Sequence, residues 1–168
     1  LNAREAVPGK ASLRGKAGPV EDQGQCGSCW DFSLTSVLRG SMMAQGNDPG
    51  RLSFNYLLNC AKTMAGCDGG DFSAADELVS PKGAPAYGSD GEYTASAGEC
   101  IQKAPIASAP SYTLLGTNLG NIPNAPLPTF KDIAYVVGVL HQPVSIDIAA
   151  DTAWQMYSSG TFNKCNQK

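Results

Sequence analysis

The feature that most constrains this chain is the stretch from Gln23 to Phe32, which reads Gln-Gly-Gln-Cys-Gly-Ser-Cys-Trp-Asp-Phe. Apolar residues recur behind it at helical spacing, and this predicts a buried central helix from Cys29 to about Gln45. A cysteine in the first turn of a helix meets unpaired backbone N–H groups and the positive end of the helix dipole, which stabilise negative charge. The pattern therefore indicates that Cys29 is a nucleophile.

Composition narrows the class of protein. The 168 residues are enough to bury a sizeable core in one domain or two small lobes. A net charge of −3 gives no basic face for nucleic acid, and no apolar run approaches the roughly 20 residues of a membrane span. Six cysteines suggest disulfides and an oxidising or lytic compartment. Since the chain begins at Leu1 without a charged and then apolar leader, we expect a mature or trimmed form.

Local patterns predict helices first and β structure near the end, which is an α+β order. Serine and threonine supply helix caps, and strict alternation of apolar and polar residues indicates a strand. The predicted elements are a helix over Phe54–Cys60 capped by Ser53, a short helix over Phe72–Val79, mostly loop over 81–128, a helix capped by Thr129, a strand over Val144–Ile148 and a helical turn over Trp154–Tyr157.

The spacing of Cys26 and Cys29 also occurs in thioredoxin-type redox motifs and in half of some zinc sites. In a redox motif the aromatic residue precedes the first cysteine, whereas here Trp30 follows the second. A zinc site would need another Cys/His pair of suitable spacing, and the sequence has one histidine. A nucleophile therefore remains the better interpretation, with no metal or organic cofactor expected.

The stretch from Gln23 to Trp30 resembles the active-site signature of papain-like (cathepsin-type) cysteine proteases. Other stretches resemble the same family in family order, from about residue 18 to 165: Leu52-Ser53 with Tyr56-Leu57-Leu58-Asn59-Cys60, Gly66-Cys67-Asp68-Gly69-Gly70, Tyr93-Thr94 through Gly98-Glu99-Cys100, Gln142-Pro143-Val144-Ser145, and Tyr157 to Phe162.

The resemblance implies a papain-like two-lobe fold, with a helical left lobe, an incomplete β-barrel right lobe and an active-site cleft between them. The implied division is an N-terminal arm over 1–11, a helical lobe over 12–105, and the first part of a β-rich lobe over 106–168. It also implies a secreted, periplasmic or lysosomal/vacuolar endopeptidase that acts on polypeptides, with a possible pro-segment inhibitor. The alternative function is a catalytically silent module of the same fold that binds peptides or protein partners.

By resemblance, Cys29 attacks the peptide carbonyl, and Gln23 donates a side-chain N–H to the oxyanion that forms. A thiolate is a nucleophile suited to amide hydrolysis, and the oxyanion needs donors that are already in place. Gly69 and Gly70 would line the substrate, and Gly70 would pair with the substrate backbone in an extended form.

Three further residues fall where the family lines the pocket for the second substrate side chain. These residues are Asp71, Phe72 and Asp147. Two carboxylates there would favour a basic side chain, with Phe72 packed on its stem. The alternative is that one or both carboxylates are solvated loop or strand residues.

The resemblance implies two disulfides, Cys26–Cys67 and Cys60–Cys100, and a free Cys29. Cys165 is then left over, and its family counterpart bonds a cysteine that would lie outside this chain. An unpaired Cys165 favours a missing partner segment over a stable truncation.

The residue that should act as general base is not found in the sequence. The one histidine, His141, precedes Gln142-Pro143 at a predicted helix end, where it complements the helix dipole. The resemblance places the catalytic histidine and its orienting asparagine beyond Lys168. A C-terminal light chain, a further part of the same protein, or a naturally truncated and inactive homologue would each account for this.

Asp31 departs from the family, which usually has a small residue directly after the Cys-Trp pair. An acidic residue in a first helical turn is favoured by the dipole, but negative charge near a thiolate weakens the nucleophile. Because two residues along a helix turn through about 200°, we expect Asp31 to point away from the Cys29 sulfur and to have a modest effect.

Overall fold

The computed structural model describes residues 6–115, 127–148 and 150–162. Four α-helices lie in this part of the chain: α1 over Cys29–Ala44, α2 over Phe54–Cys60, α3 over Phe130–Gly138 and α4 over Thr152–Gln155. Three 3₁₀ segments cover Arg14–Lys16, Gly66–Asp68 and Phe72–Leu78. Cys165 and its predicted partnership lie outside the described residues.

Helix α1 is the centre of the packing, as its apolar spacing predicts. Its inner face places Trp30, Leu34 and Leu38 in the core, each less than a tenth exposed. The helix ends where the sequence predicts a stop, since Gly46 adopts a left-handed conformation with φ of +86°. The amide of Asn47 then donates to the Met42 carbonyl at 2.9 Å, which closes the last turn.

Helix α2 begins and ends at the predicted residues. The Ser53 hydroxyl accepts a hydrogen bond from the Tyr56 amide at 3.1 Å, as an N-cap does. The same hydroxyl donates to the Asp90 carboxylate at 2.6 Å, so the cap also fixes a distant loop. Leu57 of α2 is completely buried in the hydrophobic core.

Residues 78–109 form connected loops rather than a sheet. Isolated β-bridges pair Val79 with Ala109, Ala84 with Ala107, and Leu52 with Ala86. Ala84 and Ala107 are almost fully buried, so these bridges form one edge of the core. The loop prediction for 81–128 is confirmed for the residues described there.

Helix α3 begins with a capping box, as the threonine predicts. The Thr129 hydroxyl accepts from the Asp132 amide at 3.3 Å, while the Asp132 carboxylate accepts from the Thr129 amide at 2.8 Å. The helix ends at Gly138, and His141 follows it exposed and left-handed, with φ of +53°. The Gln142 amide closes this end by donating to the Val136 carbonyl at 3.0 Å.

The strand predicted over Val144–Ile148 is wrong for this structure. The residues there have no regular secondary structure and form no β-ladder, and Ile146 and Ile148 are about half exposed. A strand exists only when its backbone groups pair with a neighbouring strand. Nothing in the described part of the chain supplies that neighbour.

Two disulfides join the loops around the helices. They are Cys26–Cys67 and Cys60–Cys100, the pairs that the family resemblance implied. The paired residues are 41 and 40 positions apart, so loop-closure entropy makes each disulfide worth about 4 kcal/mol at most. They fit an oxidising compartment. Within the described residues, every helix is too short or too polar to cross a membrane.

We expect Leu57→Ala to lower the free energy of unfolding by about 2–5 kcal/mol, because it opens a cavity where α2 meets the core. Urea denaturation followed by circular dichroism measures the change. The control is Val20→Ala, since Val20 is fully exposed and its truncation should change stability by less than about 0.5 kcal/mol. Equal effects of the two substitutions would contradict the described packing.

Candidate active site

The first turn of α1 presents a single thiol to solvent. Cys29 is exposed and is the free cysteine among the described residues. Its chain neighbours, Ser28 and Trp30, are both buried, with Ser28 completely inaccessible. The Cys29 thiol therefore lies at the solvent-facing N-terminus of α1, between two residues whose side chains are buried.

Two loops meet at this helix end. We call residues 23–28 the nucleophile loop and residues 66–70 the glycine loop. The Cys26–Cys67 disulfide joins them, and the Gly27 amide donates to the Cys67 carbonyl at 2.8 Å. A Cβ on Gly27 would lie 2.4 Å from that carbonyl oxygen. The close approach of the two backbones therefore requires glycine at position 27.

Trp30 fixes the other end of the glycine loop. Its indole N–H donates to the Gly66 carbonyl at 3.2 Å. Its ring lies so close to Gly70 that a Cβ there would be 2.6 Å from a ring carbon. Trp30 thus holds the Gly69-Gly70 backbone beside the first turn of α1.

Gln23 is half-buried at the start of the nucleophile loop. Its side-chain nitrogen donates to the Cys26 carbonyl at 2.7 Å. A primary amide has two N–H donors, so one donor anchors the side chain and the other remains for a ligand. The role of Gln23 as an oxyanion donor stays a prediction.

Asp71 and Phe72 directly follow the glycine loop. The Asp71 carboxylate accepts from the Ser73 amide at 2.7 Å and caps the short 3₁₀ helix, while remaining exposed. Phe72 is half-buried against the core. Asp71 therefore has a structural role whatever its role in binding.

Asp147 lies in the segment that follows α3. It is exposed, and two residues earlier the Ser145 hydroxyl contacts the Ser33 hydroxyl of α1. This contact holds the segment that contains Asp147 against α1. The pairing of Asp147 with Asp71 in one pocket stays a prediction.

Tyr93 is a site residue that the sequence did not identify. Its hydroxyl lies 2.8 Å from the Gln23 carbonyl and 2.7 Å from the Ser28 hydroxyl. It comes from a loop about 65 residues further along the chain. No local pattern signals such a contact, because it depends on how the two loops are brought together.

Asp31 is buried completely, whereas Cys29 is exposed, which fits the predicted difference in orientation. One carboxylate oxygen accepts from the Thr35 hydroxyl at 3.1 Å, and the other has no hydrogen-bond partner. Burial raises the pKa of the Asp31 carboxyl well above its ordinary value; the Thr35 hydrogen bond lowers it in part, and the Asp90 charge raises it further. No local pattern in the sequence predicts a buried carboxyl at position 31.

The described residues contain no group of three or more His, Cys, Asp or Glu side chains that could hold a metal ion. At the start of α1, the described residues place the Cys29 thiol close to the loop that carries the Gln23 amide.

A family model described as papain family cysteine protease matches residues 7–168. Vignain of Vigna mungo is 33% identical over 166 residues, covering 96% of this chain and 43% of that protein. Digestive procathepsin L 3 of Tenebrio molitor larval midgut is 27% identical with a TM-score of 0.68, covering 83% of this chain and 44% of that chain. The proform of the Amb a 11 cysteine protease, a major ragweed pollen allergen, gives 28% identity and a TM-score of 0.53 over 60% and 32% of the two chains.

The chain spans less than half the length of these relatives. The matches confirm the papain-like α+β fold, to which the described residues contribute a helix-rich part.

An Asp31→Asn variant tests the buried carboxyl. The unfolded carboxyl titrates near pH 3.9, whereas the folded pKa is raised. The stability that this group contributes is therefore fully present below about pH 4 and is lost as pH rises through the folded pKa. Relative to Asp31→Asn, we expect the wild type to lose free energy of unfolding between about pH 4 and pH 7, measured by urea denaturation.

Asp71→Asn is the matched control, because Asp71 is exposed and asparagine keeps the helix cap. A constant difference between wild type and Asp31→Asn from pH 4 to pH 7 would contradict a raised pKa for the buried Asp31 carboxyl.

Proposed function

Since the chain belongs to the papain family of cysteine proteases, we propose that it is a thiol-dependent endopeptidase that cleaves peptide bonds through Cys29. The observation that carries this proposal is the exposed Cys29 thiol at the N-terminus of α1, beside two loops that a disulfide joins. A structural cysteine would be buried and inert, whereas a nucleophile must be accessible.

In the proposed reaction, the Cys29 thiolate attacks the substrate carbonyl carbon and forms a tetrahedral intermediate. The free N–H of the Gln23 amide and the backbone N–H of Cys29 would stabilise its oxyanion, since the first N–H groups of a helix have no partner within it. The C–N bond of the intermediate then breaks. The departing amine takes a proton from a general acid, and the acyl group stays on Cys29 as a thioester. Water hydrolyses the thioester and returns the free thiol.

The general acid and base would come from a C-terminal segment, either a light chain or a further part of the protein, that carries a histidine and an asparagine. An exposed apolar surface supports this part of the proposal. Its members lie on α3, in the segment before α4, on α4 itself and directly after it: Phe130 (86% exposed), Ile146 (57%), Ile148 (46%), Trp154 (40%), Met156 (79%) and Tyr157 (43%). Such side chains would be covered if the rest of a β-rich lobe packed on residues 106–168.

We propose further that residues 12–105 form the helical lobe, with residues 1–11 as an arm. The proforms among the matched structures support a pro-segment inhibitor for this chain as well. The disulfides support secretion or delivery to the periplasm, a lysosome or a vacuole.

The test combines the 168-residue chain with the C-terminal segment of a matched relative that supplies the histidine and asparagine. We expect an epoxide-type thiol-protease inhibitor to form a one-to-one adduct on Cys29, located by mass spectrometry, and a fluorogenic peptide to be hydrolysed. Cys29→Ala should abolish hydrolysis by at least about 10³-fold. A segment with alanine in place of its histidine is the matched control and should be inactive.

The runner-up is a catalytically silent module that binds peptides. Peptide binding without any Cys29 adduct, in a preparation that contains the C-terminal segment, would favour the silent module and contradict the peptidase. Retention of both Cys29 and Gln23 favours the peptidase, because a binding module needs neither.

For substrate preference, we propose that Asp71 and Asp147 select a basic side chain at the second position before the cleaved bond. Their exposure leaves both carboxylates available to a ligand, and the half-buried Phe72 could pack on the aliphatic stem of lysine or arginine. We propose that the substrate backbone contacts Gly69 and Gly70.

We expect Asp71→Asn and Asp147→Asn each to lower kcat/KM for arginine at that position by about tenfold, since one charge-assisted contact is lost. The kcat/KM for leucine there should be unchanged. Asp76→Asn removes an exposed charge from the same 3₁₀ helix as a control. A peptide library that shows only bulky apolar preference would contradict the basic pocket and leave the peptidase proposal intact.

A further inference from the structure

We infer that Tyr93 is a positioning residue that holds the nucleophile loop in its active shape. This inference rests on the proposed function, because it concerns how Gln23 and Cys29 are placed for the same reaction. The hydroxyl of Tyr93 bonds to the first and the last residue of the loop, Gln23 and Ser28.

The direction of these two hydrogen bonds follows from counting protons. A phenol has one proton, and the Tyr93 hydroxyl donates it to the Gln23 carbonyl at 2.8 Å. The Ser28 hydroxyl, 2.7 Å away, must therefore donate to the phenol oxygen. The result is a directed chain from Ser28 through Tyr93 to Gln23, in which a single oxygen closes the loop.

The position of the Tyr93 ring is set by helices α1 and α2. It packs in a T-shaped arrangement with Phe32 of α1, with ring centroids 5.0 Å apart, and with Phe54 of α2 at 6.5 Å. Phe32 and Phe54 are themselves stacked at 4.0 Å. The Asn55 side chain donates to the carbonyls of Gly91 and Glu92 at 2.9 and 3.0 Å, which holds the backbone just before Tyr93.

The Tyr93 phenol also keeps its proton, so it can donate a hydrogen bond. Burial raises the pKa of Tyr93; the Ser28 hydrogen bond lowers it, and the nearby charges of Asp31 and Asp22 raise it further. A raised phenol pKa keeps the proton on Tyr93 throughout the acidic and neutral range. Since Ser28 is completely buried, this chain of hydrogen bonds is shielded from competing water on that side.

This arrangement bears directly on the reacting groups. Ser28 immediately precedes Cys29, and the Gln23 amide that would meet the oxyanion is anchored within the same loop at the Cys26 carbonyl. A displacement of about 1 Å in a positioning element can cost up to about 10²-fold in rate. Loosening the loop should therefore weaken oxyanion stabilisation more than it weakens substrate binding.

The test is Tyr93→Phe, which keeps the ring packing on Phe32 and Phe54 and removes the hydroxyl. Tyr87→Phe is the matched control, since Tyr87 lies in the same stretch of chain, where its ring packs under Arg51. In the preparation completed with the C-terminal segment, we expect Tyr93→Phe to lower kcat by about tenfold with KM within about twofold. Alkylation of Cys29 by iodoacetamide, which needs no oxyanion donor, should keep its rate.

A second measurement does not depend on activity. In the 168-residue chain, we expect the Gly27 amide to exchange its hydrogen about fivefold faster in Tyr93→Phe than in the wild type, because the loop opens more often. Tyr87→Phe should leave this exchange unchanged.

The outcomes distinguish a failure of the inference about Tyr93 from a failure of the proposed function. If the wild type hydrolyses peptides but Tyr93→Phe matches it in kcat and in Gly27 exchange, the inference about Tyr93 is overturned and the proposed function stands. An equal fall in kcat and in the iodoacetamide rate would also overturn the inference, since it indicates a loss of Cys29 thiolate and not of oxyanion stabilisation. If the wild type is inactive, the proposed function fails, and unchanged Gly27 exchange would then also overturn the role of Tyr93 in holding the loop.

Discussion

The site depends on the junction between the nucleophile loop and the glycine loop. One disulfide, Cys26–Cys67, and one backbone hydrogen bond, from Gly27 to Cys67, bring together segments that are about 40 residues apart in the chain. Trp30 then packs its ring against Gly70 and keeps the second loop beside α1. Each contact needs the others, because the glycines allow the approach and the disulfide limits the freedom of the loops to separate.

Buried polar groups beneath this junction link it to the core. Asp31 and Asp90 are both buried, and Ser53 joins the cap of α2 to the Asp90 loop. Tyr93 comes from the same loop and reaches the first and last residues of the nucleophile loop. Burial raises the pKa of the Asp31 carboxyl, which makes the stability of this region greater at acidic pH.

Local patterns were sufficient for α1, α2 and α3, because each carries its own signal, whereas the helical turn predicted over Trp154–Tyr157 lies two residues earlier, over Thr152–Gln155. Ser53 and Thr129 cap α2 and α3 as predicted, and Gly46 ends α1. The strand over Val144–Ile148 was predicted from alternation alone and does not form, since pairing depends on a neighbour that no local pattern specifies. Burial of Asp31 and the contacts of Tyr93 escaped prediction for a similar reason, as both result from segments distant in sequence.

The sequence was sufficient to indicate the family and to predict Cys29 as a nucleophile, because the stretch from Gln23 to Trp30 combines a helix start, a thiol and an amide side chain at fixed spacing. What surrounds Cys29 followed only from the tertiary structure. It placed the Gln23 side chain on the Cys26 carbonyl, the Tyr93 hydroxyl between Gln23 and Ser28, and the Asp31 carboxyl in the core. The physical reason is that burial and long-range hydrogen bonds depend on packing, whereas helix caps and motif spacing are local properties of the chain.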